Sequence, residues 1–297
     1  DEGLLIESHG RREEWYAFSH GVVRDFFLSR VGGAHRARRF HRYAAIAREK
    51  TYGAKADMQA AEIGAHWEAA RDREKALYWY QRAAQTAERA AMYRQAATAS
   101  TAALRLMDEL LGLTEFARQS LDIERLDELC STMSFTARQY VELAVQLGDL
   151  HEGFGEYDKA EGYYRRVVRM VGARPMEQDW VIGALAQAWL GLGHLAWQRG
   201  DFEAAKWAFE RVCRLVEGVE ALEEVRASAL RGLSQVAWHR GDYEEARALG
   251  EAALESARRR GDISGEARAL WGLGEVARIR GDSESARQRF LAAQELY

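Results

Sequence analysis

Gly200-Asp201-Phe202-Glu203-Ala204-Ala205, Gly241-Asp242-Tyr243-Glu244-Glu245-Ala246 and Gly281-Asp282-Ser283-Glu284-Ser285-Ala286 are three copies of one phrase, their first glycines 41 and then 40 residues apart. A fixed period of this size marks a helical solenoid, whose units bury their apolar faces only against one another. Upstream of Gly200, Leu185, Trp189, Leu192, Leu195 and Ala196 recur at three- and four-residue steps, with Gly193 among them as a small residue. Downstream, Ala205, Phe209, Val212 and Val216 do the same, so each run predicts one helix. Between them a glycine can take the positive φ that closes the first helix, and an aspartate can accept the free amides of the second. The predicted unit is a helix hairpin that cannot bury its own face, and the predicted fold class is all-α.

The bulk composition agrees. Of 297 residues one is proline, Pro175, so helices run uninterrupted almost everywhere. The net charge of −4 excludes a polycation seeking nucleic acid. No apolar run approaches the roughly 20 residues of a membrane helix, and no signal peptide is visible. Cys130 and Cys213 are isolated within helical patterns, which predicts no disulfide framework and fits the cytoplasm. The chain opens on Asp1 and closes at Tyr297 inside a helical pattern, so it reads as a piece of something longer.

The repeat phrase resembles the tetratricopeptide repeat. The residues that carry the likeness are Trp189, Leu192-Gly193, Ala205 and Phe209 in one unit. In the next they are Leu230, Leu233-Ser234, Ala246 and Ala253, and in the last Leu270, Leu273-Gly274, Ala286, Phe290 and Ala293. Earlier units use Leu147-Gly148, Gly155-Glu156-Tyr157, Ala160, Tyr164 and Val167, and before them Ile63-Gly64, Trp67, Asp72, Ala76, Tyr80 and Ala83. A period longer than the usual 34 residues predicts helices longer by nearly a turn. The stretch from Leu104 to Arg138 fits poorly. Asp108, Glu109, Glu115, Asp122, Glu124, Asp127 and Glu128 make it an acidic patch, broken at Gly112-Leu113-Thr114, which reads as a degenerate helix pair or, alternatively, as an exposed acidic docking helix.

The first fifty residues differ in texture. Leu4-Leu5-Ile6 and Trp15-Tyr16-Ala17-Phe18 flank a polar turn and predict a β-hairpin. Val22, Val23, Phe26, Phe27 and Val31 then predict a helix, and Phe40, Tyr43, Ala44 and Ala47 another. Leu4-Leu5, Tyr16-Ala17-Phe18-Ser19-His20, Val23-Arg24, Arg38-Arg39-Phe40-His41-Arg42, Gly64-Ala65-His66-Trp67 and Asp72 to Leu77 resemble the winged-helix tail of STAND-class signal-transduction ATPases. That resemblance implies a small winged-helix remnant, an ATPase module upstream, and a protein-interaction and ligand-sensing role within a bacterial STAND-type regulator or a related multidomain kinase signalling protein. The expected organisation is a remnant over 1–50, first repeat-like helices over 57–106, the degenerate segment over 107–140, and an array of about 40-residue repeats over 141–297.

No constellation for chemistry is visible. No glycine precedes a lysine, so the phosphate-cradling P-loop is absent. Gly191-x-Gly193-x-x-Ala196 and Gly272-x-Gly274-x-x-Ala277 mimic a dinucleotide fingerprint but recur at the repeat period and follow no strand, which makes them packing residues. His151-Glu152 opens like a zinc protease motif whose second histidine position holds Gly155. The expectation is a non-enzyme with no catalytic, cofactor or metal residues.

In stacked hairpins of the resembled family the first helix of each pair lines a concave groove. That nominates Gln187, Leu190, His194, Trp197 and Gln198 in one unit, Ser228, Arg231, Gln235, Trp238 and His239 in the next, and Arg268, Trp271, Glu275 and Arg278 in the last. Trp197 and Trp238 share a position 41 residues apart. Rings beside Arg, Gln and His suit a groove for a protein, a peptide or a small effector, whereas the alternative is that the tryptophans pad the longer helices. Two other functions are open: a scaffold that self-associates through its terminal repeats, and a nucleic-acid contact through the basic stretch Arg36 to Arg48, against which a solvated helix face is the plainer reading.

Overall fold

The computed structural model describes the backbone of residues 5–10 and 13–18 and the chain over 34–172 and 178–296. It divides into two compact units, 1–106 and 107–297. In the first, strands β1 (Leu5–Gly10) and β2 (Glu13–Phe18) pair antiparallel, Leu5 opposite Phe18 and Gly10 opposite Glu13. The helix expected through Val22, Val23, Phe26, Phe27 and Val31 lies outside the described residues. Helix α1 (Ala34–Tyr52) follows, then a 3-10 stretch (Gly53–Gln59), α2 (Ala60–Ala69), α3 (Arg73–Arg89) and α4 (Tyr93–Leu110), whose last turn from Met107 belongs to the second unit.

Glu49 of α1 ties this first unit together. Its Oε1 accepts the indole N–H of Trp67 on α2 at 2.6 Å and that of Trp79 on α3 at 2.7 Å. Both tryptophans are buried, so the lone acid of a basic stretch satisfies two donors that would otherwise be orphaned. The basic residues are partly answered from the same unit. Arg48 reaches Glu62 at 2.5 Å and Gln59 at 3.1 Å, and Arg42 faces Asp72 at 3.8 Å. Phe40 and Tyr43, expected on an apolar face, are exposed, and Ala45 is the buried residue of α1.

The second unit carries two short helices, α5 (Glu115–Ser120) and α6 (Ile123–Cys130), and then four hairpins. These are α7 (Ala137–Gly153) with α8 (Tyr157–Val171), α9 (Asp179–Gln198) with α10 (Phe202–Leu215), α11 (Glu223–Arg240) with α12 (Tyr243–Arg260), and α13 (Ile263–Ile279) with α14 (Ser283–Glu295). The three glycine-aspartate corners fall between paired helices, as the repeat phrase predicts. Gly200 has φ +78° and Gly241 φ +85°, a region a Cβ disfavours. Asp201 accepts the Ala204 N–H at 3.0 Å and Asp282 that of Ser285 at 3.1 Å, while Asp242 makes no such cap. Among the described residues no helix is long and apolar enough to cross a membrane.

The repeat pattern has a packing reason. In the first two hairpins the second helix sends one aromatic ring between two first helices, and a glycine on each makes room. A Cβ on Gly148 would stand 2.4 Å from the Tyr164 ring, and one on Gly191 in the next unit 2.2 Å. Phe209 repeats this between Gly193 at 2.5 Å and Gly232 at 2.6 Å. Both rings are fully buried. Gly191, Gly193 and Gly274 are therefore close-packing residues on helices, as expected, whereas Gly272, expected to be one too, has nothing within 4 Å of where its Cβ would stand.

One expectation is overturned in the degenerate segment. Asp108 does not belong to a solvated acidic patch: it is buried, because Arg166 of α8, Tyr140 of α7 and Arg118 of α5 converge on it. The Tyr140 hydroxyl donates to it at 2.5 Å, Arg118 lies at 3.4 Å, and Arg166 bonds both Asp108 and Tyr140.

Candidate ligand groove

The first helices α9, α11 and α13 carry the nominated residues, and the structure brings together some of them. Leu190 is not a groove residue. It is 8% exposed and packs with Ala205, Phe209 and Val212, because the face it occupies closes on α10. Arg278 is also set apart. It pairs with Glu275 at 2.7 Å and borders a separate hollow beside Ser283, Phe290 and Leu291 on α14. His194 turns toward α7: its ring lies 5.4 Å from Phe209, and Nδ1 is 3.5 Å from Glu152. Gln187 is half-buried, Gln198 is exposed and Ser228 is half-buried.

The rest line two adjoining cavities. Arg231, Gln235, Arg268 and Trp271 border one of about 460 Å³. Trp197, Trp238, His239 and Glu275 border one of about 150 Å³, and Gln235 and Trp271 line both. Trp197 and Trp238 serve both readings made of them. Each indole N–H is buried without a partner, so the polar edge is packed inward, while the remaining ring forms a wall and offers carbon surface. His239 sits between them, 5.8 Å from Trp197 and 4.5 Å from Trp238, and stacks on Phe202 at 4.9 Å.

Four residues of the larger cavity escaped the sequence reading, Ser234, Gly250, Ala269 and Gly272, as did Val276 of the smaller one. The signal was present in the period. Gly250 stands 41 residues after Phe209 and 40 before Phe290, where the ring of a second helix belongs. Ser234 likewise replaces the glycine of Gly193 and Gly274, and its hydroxyl donates to the Ala246 carbonyl at 2.6 Å. With no ring at 250, Leu273 takes part of the space and the larger cavity is what remains.

The charges around that cavity are uneven. Arg231 is half-buried and donates to Ser228 Oγ at 2.8 Å. Among the described residues neither Arg231 nor Arg268 has a carboxylate within 4 Å, whereas neighbouring Arg260 pairs with Asp262 at 3.2 Å. Burial, with Arg268 nearby, pushes the Arg231 guanidinium down to about 10. Among the described residues no cluster of His, Cys, Asp or Glu has the makings of a metal site.

Near His194, the Tyr164 hydroxyl donates to Asp149 at 2.7 Å and Glu152 at 2.8 Å. Burial raises the Asp149 carboxyl above its usual range despite the Tyr164 hydrogen bond. A carboxyl that holds its proton more tightly when folded costs stability above its folded pKa, and the cost vanishes as pH falls through that value. Asp149→Asn is therefore expected to raise stability at neutral pH, with the gain shrinking in acid. Urea unfolding at stepped pH reads this, and a pH-independent effect or a loss at pH 7 would contradict it.

The tetratricopeptide repeat family matches residues 145–218 and again residues 225–297. Comparison with curated proteins gives no match. Among solved structures the chain is similar to BtubC (BKLC) from P. vanneervenii, with 16% identity and a TM-score of 0.52 over 91% of this chain and 90% of that one. That likeness concerns the fold alone. MamA (17% identity, TM-score 0.44, 74% of this chain and 91% of that one) and pilF of Pseudomonas aeruginosa (16%, 0.39, 81% and 91%) are too distant to bear on it. Residues 145–218 and 225–297, which hold most of the helix pairs from α7 to α14, are tetratricopeptide repeats.

Proposed function

We propose that this chain is a non-catalytic interaction module that binds an extended peptide segment of a partner protein across α9, α11 and α13. The observation that supports this is the run of adjoining cavities that crosses three successive first helices and is walled by Trp197, Trp238 and Trp271. Large rings beside adaptable polar groups are what peptide grooves use. Trp271 is 56% exposed within the cleft, and Trp207 is 48% exposed on a second helix, α10, away from it. Selection of a random short-peptide library on the whole chain is expected to enrich peptides that Trp271→Ala binds several-fold more weakly and Trp207→Ala binds unchanged. Equal sensitivity to both substitutions would remove the groove.

A second reading concerns context. The paired strands Leu5–Gly10 and Glu13–Phe18, placed before the helices, favour the winged-helix tail of a STAND-type regulator, in which the array would sense a partner for an upstream ATPase. Sequencing of the gene upstream of the codon for Asp1 tests this: a P-loop encoded in frame there supports it, and its absence ends it.

A further inference from the structure

One repeat lacks the ring that its neighbours carry, and the space is bordered by two arginines that have no carboxylate within 4 Å among the described residues, Asp262 and Glu224 acting only from farther off. In the two preceding interfaces a first-helix glycine closes on a ring, Gly191 on Tyr164 and Gly232 on Phe209. Gly272 holds the same position in α13, and nothing lies within 4 Å of where its Cβ would stand. The resulting cavity of about 460 Å³ is in the size range of pockets that hold a ligand group. Trp271, in the place of buried Leu190, gives it an exposed aromatic wall.

Arg231 also occupies the Leu190 position one unit on, which is why its guanidinium is drawn inward. A cation taken partly out of water with no carboxylate in contact is costly, the like charge of Arg268 adds to the cost, and the more distant Asp262 and Glu224 offset only part of it. An oxyanion between the two relieves both, and arginine is the side chain best shaped to grip one.

We propose that this cavity receives an aromatic side chain of the bound peptide in the room left by Gly250, with an adjacent acidic residue held between Arg231 and Arg268. This rests on the peptide reading of the cleft and names the chemistry of the segment that fills its centre. The ring stands in for the missing member of the Tyr164, Phe209 and Phe290 series, and the acid supplies the contact with a carboxylate that Asp262 and Glu224 do not make.

Two substitutions separate the parts. Arg268→Ala changes an exposed residue and leaves the fold intact. Gly272→Leu fills the cavity from a position with open space, and replacing a mid-helix glycine keeps or raises the melting temperature. Peptides enriched from the random library on the unmodified chain are expected to combine an aromatic with a neighbouring Asp or Glu, and to bind each variant about tenfold more weakly or worse. Replacing the peptide's acid with its amide should erase the difference between Arg268→Ala and the unmodified chain. Enriched peptides that lose binding on Trp271→Ala but bind both variants normally would overturn this inference and leave the groove standing. Peptides without an acidic residue would overturn its electrostatic half. Binding untouched by Trp271→Ala would remove the groove itself.

Discussion

Phe209→Ala is expected to destabilise the 107–297 unit by about 3–5 kcal/mol, the usual cost of emptying a buried aromatic site. The ring is 1% exposed and lies between Gly193 and Gly232, so it touches its own hairpin and the next one. Neither glycine has a side chain with which to collapse into the hole. The loss should therefore stay near the upper end of that range, and it should weaken the stacking of α9 and α10 on α11 as well as the hairpin itself. Chemical unfolding followed by circular dichroism reads the total. Phe209→Leu, which keeps most of the volume, should cost far less. A loss under about 1 kcal/mol for the alanine variant would mean that the ring is not the wedge described here.

Asp108→Ala should be comparably severe, about 3–5 kcal/mol, for an electrostatic reason. The carboxylate and the Arg166 guanidinium are 9% and 12% exposed, and Tyr140 hydrogen-bonds into the same cluster. Burial pushes the Asp108 carboxyl up and the Arg166 guanidinium down, although each pulls the other back, so the pair is held together at a desolvation cost. Removing the acid alone leaves a buried cation facing Arg118 and Arg169. Removing both charges, as Asp108→Ala with Arg166→Met, should recover most of the loss. A double-mutant cycle measures this, and additivity of the two single losses would show that the groups act independently.

The architecture was legible because its decisive residues are local and repeated. A glycine at positive φ followed by an aspartate at a helix start needs no knowledge of the rest of the chain, and the small and aromatic positions return at a fixed spacing. The groove was only partly legible. Counting along the frame placed Arg231, Gln235, Trp238, His239, Arg268 and Trp271 on the cleft, but it also nominated Leu190, which burial against α10 claims, and Arg278, which Glu275 engages. Position in a repeat fixes direction, and the side chain opposite then decides burial. Asp108 was misread for the same reason: its partners Tyr140 and Arg166 stand 32 and 58 residues away, and no local pattern announces them. The cavity itself was written in the sequence as a departure from the pattern, Gly250 between Phe209 and Phe290, which becomes visible only when the units are compared with one another.

The unit that lacks its ring also sets where the stack is weakest. Between α9, α10 and α11 the joint is filled by Leu190, Phe209, Val212, Val225 and Leu233. Beyond α11 it narrows to patches built around Ala253 and Ala269 and around Ala237, Ala246 and Val276. In a linear stack each joint is a separate term in the cooperativity, so α13 and α14 form the stretch that frays first. A guest lodged at that seam would stitch the last hairpin to the others, and occupancy would then be felt as stiffness along the array as well as affinity.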